Sequence, residues 1–265
     1  MKKQLMLHIG LHKTGSTSIQ AALKGYNKNK VRSIAFKEAN HSIPMYTIFS
    51  EERYNYHIWQ KEGLSKGDID KKKNAYLNIL IKEFKNNKVK TLIISGEDLS
   101  VLKDHEVKAL SEFLMAQQIK TTIICYVRDP LSWVVSASQE MAKNGGGTPN
   151  LDNFFKSRLQ KYIKHFGKEN IKVFDYQKSS LSEQSIVRHF SRVLSINLNE
   201  LPKTNESLNP LQFSLIQNLN NINLKKKRHH SWDIIVSKII KIGSMSSLYS
   251  GKKLDKQYFK NLIPD

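Results

Sequence analysis

Short apolar runs alternate with helix-periodic stretches along this chain, and no other feature constrains its fold so tightly. The runs occupy residues 5–9, 31–36, 89–95, 121–127 and 171–176. Between them, apolar residues recur three and four apart: Ile19, Leu23 and Tyr26; Tyr76, Leu80 and Phe84 within 70–86; Val107, Leu110 and Leu114; Ile186, Phe190 and Val193. A further helix is expected around 151–166. Such alternation predicts an α/β fold, with a central, mostly parallel sheet covered by helices on both faces. Ligands of such sheets bind beyond the carboxyl ends of the strands. Gly10, Glu97 and Arg128 all fall at such ends.

The first of these ends is the richest in chemistry. After the run at 5–9 come Gly10, Leu11, His12, Lys13, Thr14 and Gly15, and then Ser16, Thr17 and Ser18 open a helix. Unsatisfied amides at a helix start form an anion site, and a lysine in the turn adds a full positive charge. This predicts a phosphate-binding loop. The nucleoside-triphosphate version requires lysine directly after the second glycine. Here that place is Ser16, and Lys13 stands two residues before Gly15.

The arrangement from His12 to Ser18 instead resembles the 5′-phosphosulfate loop of sulfotransferases that use 3′-phosphoadenosine-5′-phosphosulfate (PAPS), bacterial carbohydrate-type members especially. A second motif agrees. Arg128, Asp129 and Pro130, followed by Ser136, resemble that family's 3′-phosphate site, an arginine at a strand end with a serine two turns into the next helix. Asp129 also caps a helix that Pro130 opens, and Ser132 shares the face of Ser136. The resemblance covers roughly the first 145 residues. It implies a P-loop-like three-layer fold with a helical C-terminal region. It also implies sulfuryl transfer from PAPS to an acceptor hydroxyl, less readily an amine, with no metal required. The donor-binding residues implied are His12, Lys13, Thr14, Gly15, Ser16, Thr17, Ser18, Arg128 and Ser136. Lys13 would meet the charge on the leaving phosphate.

The base is open between three residues. Glu97 follows the run at 89–95 and would neighbour Lys13 if those strands are adjacent; Glu38 and His41, after the run at 31–36, are the alternatives. A carboxylate base needs some desolvation to lift its pKa, and Gly96 is expected to let a ligand approach the backbone. His8, inside the first strand, and His12 also read as structural residues. His229 and His230 read as surface groups without a third metal ligand.

Composition narrows the setting. With 43 Lys and Arg against 23 Asp and Glu, the net charge is +20, which favours acidic partners such as an acidic glycan or an anionic membrane face. The densest basic patch is 225–228. No nucleic-acid-binding motif accompanies it, so no specific nucleic-acid partner is expected. The single Cys125 excludes an internal disulfide framework and reads as a buried strand thiol. No long apolar run and no signal-like start are present, which predicts a soluble, cytoplasmic protein, with peripheral contact to the inner membrane face a further expectation. One domain spanning 1–265 is expected, with 42–66 a lid or acceptor wall. Two other classes stay open: a P-loop kinase, and a non-catalytic protein that binds nucleic acid or membrane.

Overall fold

The computed structural model describes residues 3–143, 154–199 and 212–216. They fall into two compact units, 3–127 with 154–199, and 128–143 with 212–216. The predicted loop at 145–149, the segment at 204–208, the basic patch with His229 and His230, and most of the expected C-terminal helices lie outside the described residues.

The first unit holds a six-stranded sheet. Its strands are β1 (Gln4–His8), β2 (Asn27–Lys28), β3 (Val31–Ser33), β4 (Thr91–Ser95), β5 (Lys120–Val127) and β6 (Ile171–Asp175), in the order β2-β3-β4-β1-β5-β6. All neighbours are parallel except β2 and β3, which form an antiparallel hairpin. β1 is therefore central, in register with both β4 (His8 opposite Ser95) and β5 (His8 opposite Ile124).

Strand residues alternate between the sheet's faces, and each face has its own core. Leu5, Leu7, Leu92, Ile94, Ile123 and Cys125 pack with α2 (Ser42–Phe49), α3 (His57–Glu62), α4 (Lys66–Lys85), α5 (Asp104–Ala116) and α7 (Phe154–Phe166). On the opposite face, Ile93, Ile124 and Tyr126 pack with α1 (Ser16–Leu23) and α9 (Ile186–Leu194). The short α8 (Tyr176–Ser182) precedes α9. This is the expected three-layer α/β architecture. Full burial of one such Leu or Ile contributes roughly 1.5–3 kcal/mol, so the two cores dominate the stability. Cys125 lies inside the first core, and burial pushes its thiol pKa up to about 12.

Local signals set the element ends. Ser65 Oγ accepts from the Asp68 amide at the start of α4, and Asp175 Oδ1 accepts from Lys178 at the start of α8. In the second unit, α6 runs Pro130–Lys143 and Asp129 Oδ2 accepts from the Ser132 amide at 2.9 Å, the cap read from sequence. Residues 42–66, which show no clear period in the sequence, form α2, a 3-10 turn at Glu51–Asn55, α3 and the start of α4. Their apolar side chains join the first core. Among the described residues, no helix is long and apolar enough to cross a membrane.

Candidate anion-binding and proton-transfer site

The turn between β1 and α1 is built by backbone geometry that its sequence allows. Gly15 occupies the left-handed region at φ 78° and opens α1, and a Cβ there would meet Ile186 Cγ2 of α9 at 2.9 Å. Lys13 is also left-handed, φ 69°, a conformation costing a non-glycine residue roughly 1–2 kcal/mol. Thr14 is fully buried and its hydroxyl donates to the Leu11 carbonyl at 2.5 Å. Expected as a donor to phosphate, that hydroxyl fastens the loop to itself instead. The Gly15 carbonyl accepts from the amides of Ser18 and Ile19. The first turn of a helix leaves N–H groups without intrahelical partners, and here it contains no acidic residue. Thr17 and Ser18 are exposed there, whereas Ser16 is buried. Ser16 Oγ has no hydrogen-bond partner among the described residues, and a Cβ on Gly10 would come within 2.1 Å of it.

Pairing of β1 with β4 brings Glu97 to this loop. A Cβ on Gly10 would lie 3.4 Å from the Cβ of Glu97. His12 Nδ1 stands 3.6 Å from Glu97 Oε2, and His12 Nε2 stands 3.7 Å from Asp98 Oδ1. Burial pushes the Glu97 pKa up, but contact with His12 and the charges of His12 and Lys13 outweigh it and hold the carboxyl below its usual range. The sequence argument required a raised carboxylate; the neighbouring cations reverse that sign. Gly96 does permit a close approach, but to protein: a Cβ there would lie 2.6 Å from the Ser42 amide nitrogen.

Each alternative base makes a structural contact, although the buried Glu38 Oε2 has no hydrogen-bond partner among the described residues. Glu38 Oε1 accepts from Tyr76 Oη at 2.7 Å. His41 is buried, its Nδ1 accepts the Ser95 amide at 3.2 Å, and desolvation lowers its pKa to about 4. His8 is fully buried as expected, with Nδ1 2.8 Å from Ser95 Oγ and its pKa lowered by desolvation to about 4. Tyr56 was missed. Tyr56 Oη donates to Asp98 Oδ2 at 2.6 Å, a contact across 42 residues that no spacing rule reveals. Arg128 and Ser136 belong to the second unit, Arg128 just before α6 and half-buried Ser136 within it.

One group of three potential metal ligands occurs among the described residues: Glu51, His105 and Glu106. The Glu106 oxygens already accept from Ser50 Oγ and from the amides of Glu51 and Lys103, so this group reads as a helix cap.

Against known proteins, no family model matches the sequence. No curated protein matches it either. Solved structures similar to the chain include a sulfotransferase from Alicyclobacillus acidocaldarius, 13% identical over 88% of this chain and 99% of that one, with a TM-score of 0.47. A protein of the PezAT chromosomal toxin-antitoxin system of Streptococcus pneumoniae is 10% identical over 85% and 87%, with a TM-score of 0.36. Retinol dehydratase in complex with androsterone and inactive cofactor PAP is 13% identical over 95% and 82%, with a TM-score of 0.29. These likenesses are loose, and the strand order and loop geometry stand without them.

Proposed function

We propose that the chain is a sulfotransferase that moves a sulfuryl group from PAPS to a hydroxyl of a saccharide or glycan, with an amine the lesser alternative. One observation carries this reading: the Lys13 turn, with its acid-free helix start, lies directly beside the Glu97 carboxylate. An anion site and a proton acceptor are the two parts that sulfuryl transfer requires.

The residues fit a phosphosulfate. Lys13, Thr17, Ser18 and the first amides of α1 supply positive or donor groups, and the absence of a side chain at Gly10 lets the buried Ser16 hydroxyl pack against the loop's main chain. Arg128 and Ser136 are assigned to the 3′-phosphate on the sequence motif. In this reading the acceptor proton goes to Glu97 as the acceptor oxygen bonds to sulfur. The sulfur–oxygen bond to the 5′-phosphate breaks, its electron pair leaves with the phosphate, and Lys13 meets that charge. The net charge of +20 suits an acidic glycan, and a cytoplasmic site, with contact to an anionic membrane face, accompanies the reading.

The test is calorimetric binding of 3′-phosphoadenosine-5′-phosphate (PAP) in the presence of a chelator. Arg128→Ala should weaken PAP about ten- to hundredfold and adenosine-5′-phosphosulfate much less, since the latter lacks the 3′-phosphate. Equal weakening of both removes Arg128 from this role. Strict dependence on magnesium and ATP overturns the donor assignment in favour of a kinase. Transfer of labelled sulfate from PAPS onto a glycan panel then identifies the acceptor by product mass.

A further inference from the structure

Two carboxylates bracket one imidazole at the edge of the anion loop. His12 presents Nδ1 to Glu97 at 3.6 Å and Nε2 to Asp98 at 3.7 Å. The side chains of Glu97 and Asp98 are 26% and 15% exposed, so water screens the three charges only in part. Asp98 is the best anchored of the three. Its Oδ2 accepts from Tyr56 Oη, and its amide donates to Ser42 Oγ at 3.0 Å. Burial, together with the charge of Asp98, raises the Tyr56 pKa, which keeps the phenol a donor.

We propose that Glu97, His12 and Asp98 act as one electrostatic unit, in which Asp98, anchored by Tyr56, is a positioning residue that holds His12 on Glu97 and so sets the basicity of Glu97. The proposal rests on the sulfotransferase reading for the identity of the group that gives up its proton. It changes the role of His12, which the sequence placed among donor-binding residues; both ring nitrogens face carboxylates. Protonated His12 stabilises the Glu97 carboxylate and weakens its hold on an acceptor proton. Once His12 loses its proton, Glu97 becomes the stronger base. Turnover should therefore rise with pH through the ionisation of His12 rather than through that of an isolated carboxyl.

Other titratable groups face the unit and belong to its setting. Lys13 and His8 act on Glu97 from the loop and from β1. Arg158 of α7 acts on Asp98; burial lowers its own pKa to about 10, and Asp98 opposes that shift. The substitutions below leave all of these in place.

The experiment follows His12 by NMR in the full chain carrying isotope-labelled histidine, with His12→Gln assigning its signal. Asp98→Asn keeps an acceptor for Tyr56 and removes one charge at 3.7 Å. It should lower the His12 midpoint by roughly 0.5–1 pH unit. Glu97→Gln should lower it by a similar amount, and it carries the same test if Asp98→Asn fails to fold. Tyr56→Phe keeps every charge but releases Asp98, so a smaller downward shift is expected. A His12 midpoint unmoved in the folded carboxylate variants overturns the proposal. PAP binding on the same samples separates the two claims. An unmoved midpoint with PAP bound sinks the coupled unit alone; a moved midpoint without PAP binding sinks the sulfotransferase reading alone.

Discussion

His8 Nδ1 and Ser95 Oγ stand 2.8 Å apart on register partners of the neighbouring strands β1 and β4. The main chain of Ser95 is gripped as well: its amide donates to His41 Nδ1, and its carbonyl accepts the His41 amide at 3.0 Å. Two buried imidazoles thus clamp the strand ends that carry the Lys13 loop and Glu97.

The clamp predicts a pH-dependent stability. Desolvation lowers both His8 and His41 to about 4, against about 6.5 in the unfolded chain. Between those values the unfolded state binds more protons, so stability rises with pH and is lost as pH falls from about 6.5 towards 4. Each histidine contributes about 3 kcal/mol across that window. Urea unfolding between pH 7.5 and 4.5 measures this, and His41→Asn should flatten the slope by about half. A parent slope near zero over that range would disprove the effect.

Gly10 and Gly96 should respond differently to added bulk. The neighbour of a Cβ at Gly96 is the main chain of Ser42, while at Gly10 it is the Ser16 hydroxyl. Gly96→Ala should destabilise by roughly 1–3 kcal/mol or more. Gly10→Ala should also destabilise, but combining it with Ser16→Ala should recover most of the loss. A double-mutant cycle from thermal melts reads the difference; a purely additive Gly10–Ser16 pair contradicts the contact.

In the proposed transfer, Lys13→Ala should lower turnover about 10²–10³-fold while PAP affinity falls much less, because the charge it would meet develops as the phosphate leaves. Steady-state kinetics with PAPS beside PAP calorimetry makes the comparison. An effect confined to KM would show a residue that only holds the donor.

Glu97→Gln should keep the fold and PAP binding and lose most transfer, since an amide keeps the shape but accepts no proton. Glu38→Gln should stay active. The parent carboxyl, held below its usual range by His12 and Lys13 despite burial, should remain ionised well into the acid limb. Glu97 therefore contributes stability above the unfolded carboxyl pKa and loses it only as pH falls through its own lowered value. Full activity in Glu97→Gln together with its loss in Glu38→Gln would move the base to the turn after β3.

The sheet was legible because buried strands read as continuous apolar runs, and the Lys13 turn because its glycines and hydroxyls stand consecutively. β2 was not, since a two-residue polar edge such as Asn27 and Lys28 carries no period. α2 was missed for the opposite reason: Pro44, Met45, Thr47 and Ile48 are all buried, leaving little polar face to mark a helix. At the site, the adjacency of Glu97 to Lys13 followed from strand order. The reversed sign of its shift depended on where the His12 ring lies, and Asp98 and Tyr56 meet only through tertiary packing.

The central place of β1 also bears on how the chain is made. Its partners arrive late: Ser95 lies 87 residues downstream of His8, and β5 begins only at Lys120. A nascent chain on the ribosome thus carries the Lys13 turn long before either flanking strand exists to hold it. Such distant parallel pairings fold slowly and leave apolar strands uncovered in the interval. A formed Lys13 turn, and the nucleotide affinity proposed for it, should therefore appear late in synthesis, once β5 has emerged, and chains halted before it should be clients of chaperones rather than weak binders.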